Sequence, residues 1–400
     1  MVKELSKGTV VGVTGDGAAA DAMRQIDPDV VAAYPITPQT EIVERFAEYV
    51  ADGKVNTEFV SVESEHSALS ACCGAAAAGA RVITCTAAQG LALMHEVLYI
   101  AAGNRLPIVM PMVNRTLSAP INIHGDHSDS MGSRDAAWIQ LYCLDAQEVY
   151  DNTIQAVRIA EDERVMLPVM VCLDGFVISH DMEWVEMLPD EEVKRFIGQP
   201  KATINMLDKE NPINLGALAL PPVFFEHKVA MIRALEGAAS VIKEIGAEWG
   251  DLTGRSYGLV EPYMLEDAEV AVVAMSSAAG TTRVVVDALR DEGIKAGLLR
   301  IRCYRPFPTE DIVRALRGVQ AVAVLDRASS PGAPGAPIFS DLCTALYGVE
   351  PRPKLVNYVF GLGGRDLSLD HVASVYERLS GIVRTGEVGP VLSYLGLRDG

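Results

Sequence analysis

The sequence predicts an α/β protein in which a doubly wound, mostly parallel sheet is followed by a second, smaller α/β domain. Two observations lead to this fold class. Apolar runs of strand length alternate with amphipathic helical stretches from Thr9 to about Asp174, and the alternation resumes in the last third of the chain. Strands that alternate with helices form βαβ units, which build parallel sheets. We therefore expect domains at residues 1–184 and 259–400, joined by a connector at residues 185–258.

Six apolar runs in the first domain have the length of a β-strand. They are Thr9–Val13, Val30–Tyr34, Glu58–Val62, Val82–Thr86, Ile108–Val113 and Val169–Leu173. Helix-length segments separate them, and the clearest are the Ala-rich Ser64–Gly79 and Gly90–Gly103. Apolar runs of this kind are typical of parallel strands that are buried on both faces.

The connector loses this rhythm because prolines interrupt it, at positions 189, 200, 212, 221 and 222. A long helical stretch follows, from Phe224 to about Trp249. The second domain then alternates strands with helices. Its predicted strands are Val270–Met275, Gly297–Ile301, Val322–Leu325 and Leu355–Val359, and its predicted helices are Ala279–Glu292, Thr309–Arg317, Pro337–Leu346 and Leu369–Arg384.

Composition excludes several classes of protein. With 49% hydrophobic and 22% charged residues, the 400-residue chain can bury sizeable cores. A formal net charge of −19 argues against nucleic acid as a partner, because phosphate binding needs a basic surface. The apolar runs are far shorter than the roughly 20 residues of a membrane helix. The N-terminus, Met1–Leu5, lacks an apolar signal core, so we expect a cytoplasmic protein without a membrane anchor.

The seven cysteines do not form a cluster motif. They stand at positions 72, 73, 85, 143, 172, 303 and 343, and no CxxC pair occurs. An iron–sulfur cluster generally needs four suitably spaced thiolates, and a zinc site needs a comparable cluster. We interpret the cysteines as small buried residues in a reducing compartment. Any iron–sulfur cluster that works with this protein must then lie on another chain.

Three polar residues follow predicted strands: Thr37 after the second strand, Glu65 after the third and Arg115 after the fifth. Ligands of open parallel sheets bind beyond the carboxyl ends of the strands, so these side chains are candidates for a binding site. Each also has a structural interpretation. Thr37 could cap a helix that begins at Pro38, Glu65 could be a capping charge, and Arg115 could form an exposed salt bridge.

The functional interpretation gives a chemical role to two of these residues, Glu65 and Arg115. A shielded Glu65 carboxylate could hydrogen-bond a ring nitrogen of an aminopyrimidine and favour its imino tautomer, which can act as a base. Arg115 suits a planar carboxylate, because its fork donates two parallel hydrogen bonds. Glu63 is a rival of Glu65, and strand alternation alone does not separate the two.

Two further segments suggest metal chemistry. His124-Gly125-Asp126-His127-Ser128-Asp129 places two histidines and two aspartates within six residues and could bind a divalent ion. A stand-alone metal-dependent hydrolase built on this loop is one alternative function. Gly15-Asp16-Gly17 matches the opening of the magnesium–diphosphate motif of thiamine enzymes, but the asparagine that the motif needs nearly thirty residues later is missing from Ile42–Arg45. We therefore expect the diphosphate and its Mg²⁺ to be held elsewhere, and no metal on this chain.

The strand-end residues, taken together, resemble a known family. The chain is similar to the α subunit of the 2-oxoacid:ferredoxin oxidoreductases, on Tyr34–Pro38, Ser64-Glu65, Gln89-Gly90 and Asn114–Pro120. The resemblance implies that the first domain binds the pyrimidine half of thiamine diphosphate, with Glu65, Gln89 and Gly90 on the cofactor side. It also implies that Glu65 activates the aminopyrimidine and that Thr37 and Arg115 hold the 2-oxoacid. It selects Glu65 over Glu63, and it makes the loop at 123–135 a wall of the substrate cavity rather than a metal site.

The same resemblance implies a multi-subunit enzyme. A β subunit would hold the diphosphate and Mg²⁺, and [4Fe–4S] clusters would lie on β and on a small ferredoxin-like δ subunit beside a γ subunit. The expected reaction is reversible oxidative decarboxylation of pyruvate with coenzyme A to acetyl-CoA and CO₂, with ferredoxin as electron acceptor. Branched-chain 2-oxoacids such as 2-oxoisovalerate are the alternative substrates, and a non-catalytic structural subunit is the alternative role. The intact set of Thr37, Glu65 and Arg115 favours chemistry, and the chain alone is expected to be inactive.

The second domain and one departure complete the resemblance. The domain resembles the transketolase C-terminal domain, and three of its segments, Tyr304–Pro308, Val324–Arg327 and Gly361–Asp366, are expected to be structural or interfacial. The family usually has Gly-Asn-Glu-Ala where this chain has Gly15-Asp16-Gly17-Ala18. This segment precedes the first helix, so the change could alter a contact on the cofactor side or at an interface.

Overall fold

The structure is a computed structural model that describes residues 8–200 and 205–398. Met1–Leu5, on which the expectation about a signal core rests, lie outside the described residues. The elements up to the long helix are β1 Thr9–Thr14, α1 Gly15–Ile26, β2 Val30–Ala33, α2 Thr40–Ala51, β3 Glu58–Ser61, α3 Glu65–Ala77, β4 Val82–Ile83, α4 Ala88–Leu93, α5 His95–Gly103, β5 Ile108–Asn114, α6 Ser128–Gly132, β6 Ile139–Tyr142, α7 Ala146–Glu161, β7 Val169–Asp174, β8 Met182–Met187, α8 Asp190–Ile197 and α9 Pro221–Thr253.

The remaining elements alternate strands and helices as expected for the second domain. They are β9 Val260–Tyr263, β10 Val270–Ala274, α10 Ser277–Asp291, β11 Ala296–Ile301, β12 Cys303–Arg305, α11 Thr309–Ala315, β13 Ala321–Asp326, α12 Pro337–Ala345, β14 Lys354–Phe360, α13 Leu369–Thr385 and β15 Leu392–Leu395. No helix in the described ranges combines the length and the apolar character that crossing a bilayer requires.

The first sheet has seven strands in the order β12-β6-β7-β5-β4-β2-β3. Its strands run parallel except at one edge, where β12 pairs antiparallel with β6. The central strand β5 is buried along its whole length, which explains its continuous apolar sequence. The predicted fold class is confirmed. Because the strands are parallel, the segments that follow β2, β3, β4 and β5 emerge at one edge of the sheet.

The second sheet has six strands in the order β15-β14-β13-β10-β11-β9. Successive residues of its central strand point to opposite faces: Ala271 and Val273 join the large core of the first sheet, whereas Val270 and Val272 join a second core. Both faces of this sheet are therefore covered. The strands β10, β11, β13 and β14 lie within one residue of their predicted bounds, because burial on two faces makes them mostly apolar. Arg300, Asp326 and Asn357 are buried polar exceptions within them.

Two predicted features differ from the structure. The first predicted strand, β1, does not enter the main sheet but pairs antiparallel with β8, with Thr9 opposite Met187. The expected boundary at residue 184 falls inside β8, and helix α8 follows within the segment expected to be irregular. Pro189 is the N-cap of α8, so this proline stands between the two elements rather than interrupting either one.

Two short strands of the first sheet lie where the sequence predicts no element. The strand β6 has four residues, and β12 has three. The strand β12 leaves the second domain and joins the sheet of the first, where the Tyr142 N–H donates to the Arg302 carbonyl oxygen over 2.7 Å. Strands this short carry too few residues for a periodic pattern, and long-range pairing decides their formation.

Candidate active site

The turn after β2 is fixed by a buried glutamine. Gln39 is fully buried, and its Nε2 donates to the Cys85 carbonyl oxygen at the end of β4 over 2.8 Å. Its Oε1 accepts from the Ile36 N–H over 3.2 Å, so the turn is tied to the neighbouring strand. The Thr37–Pro38 peptide is cis, and α2 begins only at Thr40, with Gln39 at the N-cap. The interpretation of Thr37 as a helix cap is therefore wrong.

Arg115 is buried and contacts this turn directly. Its guanidinium donates from Nη1 to the Thr37 carbonyl oxygen over 2.8 Å and from Nε to the Asn122 carbonyl oxygen over 3.0 Å. No carboxylate pairs with this guanidinium among the described residues, so the interpretation as an exposed salt bridge is wrong. Burial lowers the pKa of Arg115. The remaining N–H groups, including both on Nη2, have no acceptor within the described part of the chain.

Thr37 meets Arg115 through its backbone rather than through its hydroxyl. The side chain of Thr37 is exposed, and its hydroxyl makes no hydrogen bond to another described residue. The structure thus brings these two predicted residues together. It leaves the Thr37 hydroxyl and the outer face of the guanidinium free to meet a ligand.

Glu65 begins helix α3 directly after the strand end of β3. Ser64 is the N-cap, and its Oγ accepts from the Ser67 N–H over 3.2 Å. The Glu65 side chain is only 7% exposed, yet its carboxylate has no hydrogen-bond donor among the residues that the structure describes. A helix N-terminus favours a negative charge at this position. Glu63 differs, because it is exposed and its carboxylate accepts from the Ser67 hydroxyl.

Gly90 and Gln89 lie in α4, which packs against Glu65. A Cβ atom at Gly90 would stand 2.8 Å from Glu65 Oε1 and 2.4 Å from Thr86 Oγ1, so only a glycine leaves this carboxylate in place. Gln89 Nε2 donates to Ser118 Oγ over 2.9 Å and links α4 to the segment that follows Arg115. The structure therefore brings Gly90 to Glu65 and brings Gln89 to the strand end that carries the arginine.

Asp129, which the sequence suggests as a metal ligand in the loop at 123–135, joins these strand ends. Its Oδ2 accepts from the Ala88 N–H over 3.0 Å and from the Arg115 N–H over 2.8 Å. Its Oδ1 accepts from Asn114 Nδ2 over 2.9 Å and from the Ser130 N–H over 2.7 Å. Burial raises the pKa of Asp129 to about 6, although these hydrogen bonds oppose the shift. No local sequence pattern marks this role, because two of the four donors are main-chain groups of distant strand ends.

The other acidic and imidazole side chains of this loop are also committed to structural contacts. Asp126 accepts from the Ser128 N–H over 2.9 Å and from the Gly363 N–H over 3.0 Å. His127 Nε2 lies 2.6 Å from Asp174 Oδ1, and both side chains are buried. The loop therefore holds the strand ends together. Asp126, His127 and Asp129 are engaged in these contacts, which argues against a metal-dependent hydrolase at this place.

The second domain supports the same loop. Asn122 Nδ2 donates to the Gly363 carbonyl oxygen over 2.9 Å, and the His127 N–H donates to the Arg327 carbonyl oxygen over 2.8 Å. Arg327 Nη1 also donates to Asp174 Oδ2 over 2.8 Å. Although burial favours the neutral acid, Arg327 and His127 hold the pKa of Asp174 well below its usual range. The segments that contain Arg327 and Gly363 thus act at an interface within the chain, as the resemblance implied.

Two protein families match the chain. Residues 21–247 match the family described as pyruvate flavodoxin/ferredoxin oxidoreductase, thiamine diphosphate-binding, and residues 268–372 match pyruvate:ferredoxin oxidoreductase core domain II. The pyruvate synthase subunit PorA of Thermotoga maritima is 55% identical over 97% of this chain and 98% of its own length. The ketoisovalerate oxidoreductase subunit VorA of Pyrococcus horikoshii is 43% identical over 96% of this chain and 98% of its own length.

A solved structure agrees in fold. The 2-oxoglutarate:ferredoxin oxidoreductase of Magnetococcus marinus superimposes with a TM-score of 0.72 over 92% of this chain, at 18% identity. The present chain spans 65% of that longer chain. The family matches and the identity to the two relatives confirm the family resemblance seen in the strand-end motifs. The chain belongs to the pyruvate flavodoxin/ferredoxin oxidoreductase family, and its first domain is the thiamine diphosphate-binding domain of that family.

Proposed function

We propose that this chain is the α subunit of a multi-subunit enzyme that oxidatively decarboxylates pyruvate with coenzyme A to acetyl-CoA and CO₂ and reduces ferredoxin. The observation that carries the proposal is the Glu65 carboxylate. It is buried at a helix N-terminus, it faces Gly90, and no described residue donates a hydrogen bond to it. A largely buried carboxylate that has no donor within the described chain can accept a hydrogen bond from a ligand that carries one.

The residues around Glu65 fit the aminopyrimidine of thiamine diphosphate. A ring N–H is a donor of the right kind for this carboxylate, and the missing side chain at Gly90 leaves room beside it. When bound, the cofactor supplies the electron sink that decarboxylation of a 2-oxoacid needs. Glu65 would accept the hydrogen bond from the ring nitrogen and favour the tautomer in which the exocyclic nitrogen can take a proton.

Arg115 and Thr37 would hold the 2-oxoacid. The carbonyl oxygens of Thr37 and Asn122 orient the guanidinium of Arg115. The main-chain N–H of Arg115 donates to Asp129. Its unused N–H groups can donate two parallel hydrogen bonds to a substrate carboxylate. The exposed Thr37 side chain beside it offers a hydroxyl to the same ligand.

Partner subunits would complete the enzyme. All seven cysteines are unpaired, and burial raises the pKa of Cys72, Cys73 and Cys303 to about 12, which disfavours the thiolate that a cluster requires. We therefore assign the [4Fe–4S] clusters to a β and a ferredoxin-like δ subunit, beside a γ subunit, and the diphosphate with its Mg²⁺ to β. Free thiols suit a reducing cytoplasm.

Pyruvate is the preferred substrate and 2-oxoisovalerate the alternative. The relative at 55% identity is named a pyruvate synthase subunit, and one at 43% a ketoisovalerate oxidoreductase subunit. Both alignments cover almost the whole chain, so the pyrimidine-side mechanism is expected to be common to both substrates.

The test is dye reduction by the complex co-expressed with its partner subunits. With pyruvate and coenzyme A, the wild-type complex should reduce a low-potential viologen, and Glu65→Gln should lower kcat by about 10² to 10⁴-fold. Glu63→Gln is the matched control and should stay within about twofold, because Glu63 is exposed.

Each contrary result has a definite meaning. Equal activity of wild type and Glu65→Gln would make Glu65 a helix cap and would overturn the proposed site. Turnover of 2-oxoisovalerate but not of pyruvate would keep the mechanism and change the substrate. Turnover by the isolated chain would contradict the assignment of diphosphate, Mg²⁺ and clusters to partners.

A further inference from the structure

We propose that Asp16, Glu41 and His180 bind a divalent transition-metal ion of the Zn²⁺ type at a site that the proposed chemistry does not use. Asp16 stands in the first turn of α1, Glu41 in the first turn of α2, and His180 in the loop between β7 and β8. One ligand atom of each residue lies within 4.8 Å of the other two. Three elements that are distant in sequence thus present an imidazole and two carboxylates to one point.

The state of Asp16 points independently to a ligand. The residue is completely buried, and neither oxygen of its carboxylate has a hydrogen-bond partner in the described structure. Its main-chain N–H donates to the Ser179 carbonyl oxygen over 3.0 Å, which holds Asp16 beside His180. A buried carboxylate that has neither a donor nor a bound cation is unfavourable, because an unpaired charge loses its hydration there. Burial, and then the charge of Glu41, raise the pKa of Asp16.

The neighbouring side chains are arranged as in a ligand set. His180 Nδ1 lies 3.8 Å from Asp16 Oδ2, and Glu41 Oε1 accepts from the Thr14 hydroxyl over 2.9 Å. The Thr14 hydroxyl orients Glu41 as an outer hydrogen bond orients a metal ligand. Ser179 Oγ lies 2.7 Å from the same His180 Nδ1, so this hydrogen bond would break when Nδ1 binds the ion, while Ser179 Oγ would keep its hydrogen bond from the Phe176 N–H. Two donors on one zinc ion stand about 3.4 Å apart, so the three side chains would close slightly around the ion.

The donor set selects the class of ion. Imidazole favours zinc and its neighbours over Mg²⁺ and Ca²⁺, and the two carboxylates balance the charge of a divalent cation. The His180 side chain is 39% exposed, which gives an ion a path from solvent to the buried carboxylate. Three protein ligands leave at least one coordination position to water.

The ion would fix the loop that carries His180 to the first turns of α1 and α2. The ring of Phe176 packs between His180, at a centroid distance of 4.8 Å, and His124, at 4.9 Å. Gly175 in the same loop donates to the Asn114 carbonyl oxygen over 3.0 Å. The site therefore stabilises the chain next to the strand end that precedes Arg115, without touching Glu65 or Arg115.

The experiment is calorimetric titration of the chelator-treated full-length chain with Zn²⁺, together with thermal unfolding. The wild-type chain should bind one ion and unfold at a higher Tm with it. His180→Gln should weaken binding at least about tenfold, since loss of an outer hydrogen bond alone can cost that much. His124→Gln is the matched control, because its ring packs on the same Phe176 but offers no atom to the site.

A second variant tests whether Asp16 is a metal ligand or only a neutral, protonated acid in the interior. Asp16→Asn removes the buried charge, so it should abolish the effect of Zn²⁺ on Tm. Absence of stoichiometric Zn²⁺ binding by the wild type would overturn the proposal. So would binding that His180→Gln and Asp16→Asn leave unchanged. Because His180 is exposed, its variant remains informative even if Asp16→Asn does not fold. Glu65→Gln should bind Zn²⁺ normally, so the two proposals fail separately.

Discussion

At Gly90 the absence of one methyl group decides the position of the proposed catalytic carboxylate. A Cβ atom there would lie 2.8 Å from both Cγ and Oε1 of Glu65. We expect Gly90→Ala to displace Glu65 and to lower kcat of the complex by about 10²-fold, because a misplacement of about 1 Å costs that much. The measurement is viologen reduction with pyruvate, alongside far-UV circular dichroism to show that the fold is retained.

Gly74 provides the control for this substitution. It lies in α3, the helix that Glu65 begins, and a Cβ atom there would meet nothing within 4 Å. Gly74→Ala should leave kcat unchanged and stabilise the chain by up to about 1 kcal/mol. Full activity of Gly90→Ala would show that the contact between α4 and Glu65 does not matter for catalysis.

Asp129 shows how one side chain can hold two strand ends. Its Oδ2 serves the main-chain N–H groups of Ala88 and Arg115. Asp129→Asn places an NH₂ group opposite two of the four donors, and these two donors then have no acceptor. Each unsatisfied buried donor costs about 1–3 kcal/mol, so we expect the free energy of unfolding to fall by at least about 2 kcal/mol in urea denaturation at a pH of about 8, where the Asp129 carboxyl is ionised.

The control is an aspartate on the same loop. Asp135 has a side chain that is 73% exposed, and Asp135→Asn should change the free energy of unfolding by no more than about 0.5 kcal/mol. Similar losses in both variants would mean that the Asp129 contacts do not stabilise the strand ends.

Among the elements, the long helix α9 has bounds that follow from the residues at its ends, and its position depends on one close contact with the chain that follows it. Pro221 and Pro222 occupy its first turn, where a missing N–H is tolerated, and Gly254 ends it with a positive φ. The sequence predicts that these prolines interrupt the chain and that the helix begins at Phe224, which is three residues after its actual start. Near its other end Gly246 packs on the chain that follows, where a Cβ atom would lie 1.9 Å from the Tyr257 carbonyl oxygen.

This close approach gives a prediction with a control in the same helix. Gly246→Ala should destabilise the chain by about 3 kcal/mol, because the obstacle is main chain and cannot rotate away. Gly237→Ala, in α9 with nothing within 4 Å, should instead stabilise it by about 1 kcal/mol. The measurement is urea denaturation of the two full-length variants. Equal effects would contradict the packing of α9 on residues 256–258.

At the scale of the whole molecule, buried carboxyl groups set the dependence of stability on pH. Burial raises the pKa of Asp129 and Asp145 to about 6 and that of Asp326 to about 7. A group with a raised pKa in the folded state stabilises the fold fully below its unfolded pKa, near 4, and this contribution is lost as the pH rises to about 7. Asp174 has a lowered pKa, so its contribution to the free energy of unfolding is lost only as the pH falls below about 4.

We therefore expect the free energy of unfolding of the metal-free chain to fall between pH 5 and pH 7.5. The net charge of −19 adds to the fall, because the negative charges repel one another more as the remaining acids ionise. Urea denaturation at both pH values, in the presence of a chelator, checks this. Asp326→Asn should flatten the decline, whereas stability that increases over this interval would contradict the assignment of buried neutral acids.

A local pattern is sufficient to predict the strands β10, β11, β13 and β14 to within one residue at each end, because they are short and mainly apolar runs. The strand β1 is also predicted from its pattern, but its pairing is not, because its partner β8 lies more than 160 residues away. The structural role of Asp129 has no local pattern either, because its side chain accepts from main-chain groups of distant segments.

The pattern of apolar and polar residues is sufficient to predict the alternation of strands and helices, and with it the edge of the sheet at which Thr37, Glu65 and Arg115 emerge. The burial of Glu65 beside an exposed Glu63, the hydrogen bond from Arg115 to the Thr37 carbonyl oxygen and the approach of Asp16 to His180 are seen only in the folded chain. The difference lies in the distance along the chain over which each feature is encoded. Strand and helix patterns follow from neighbouring residues, whereas burial and the pairing of polar groups depend on residues that the fold brings together from distant parts of the chain.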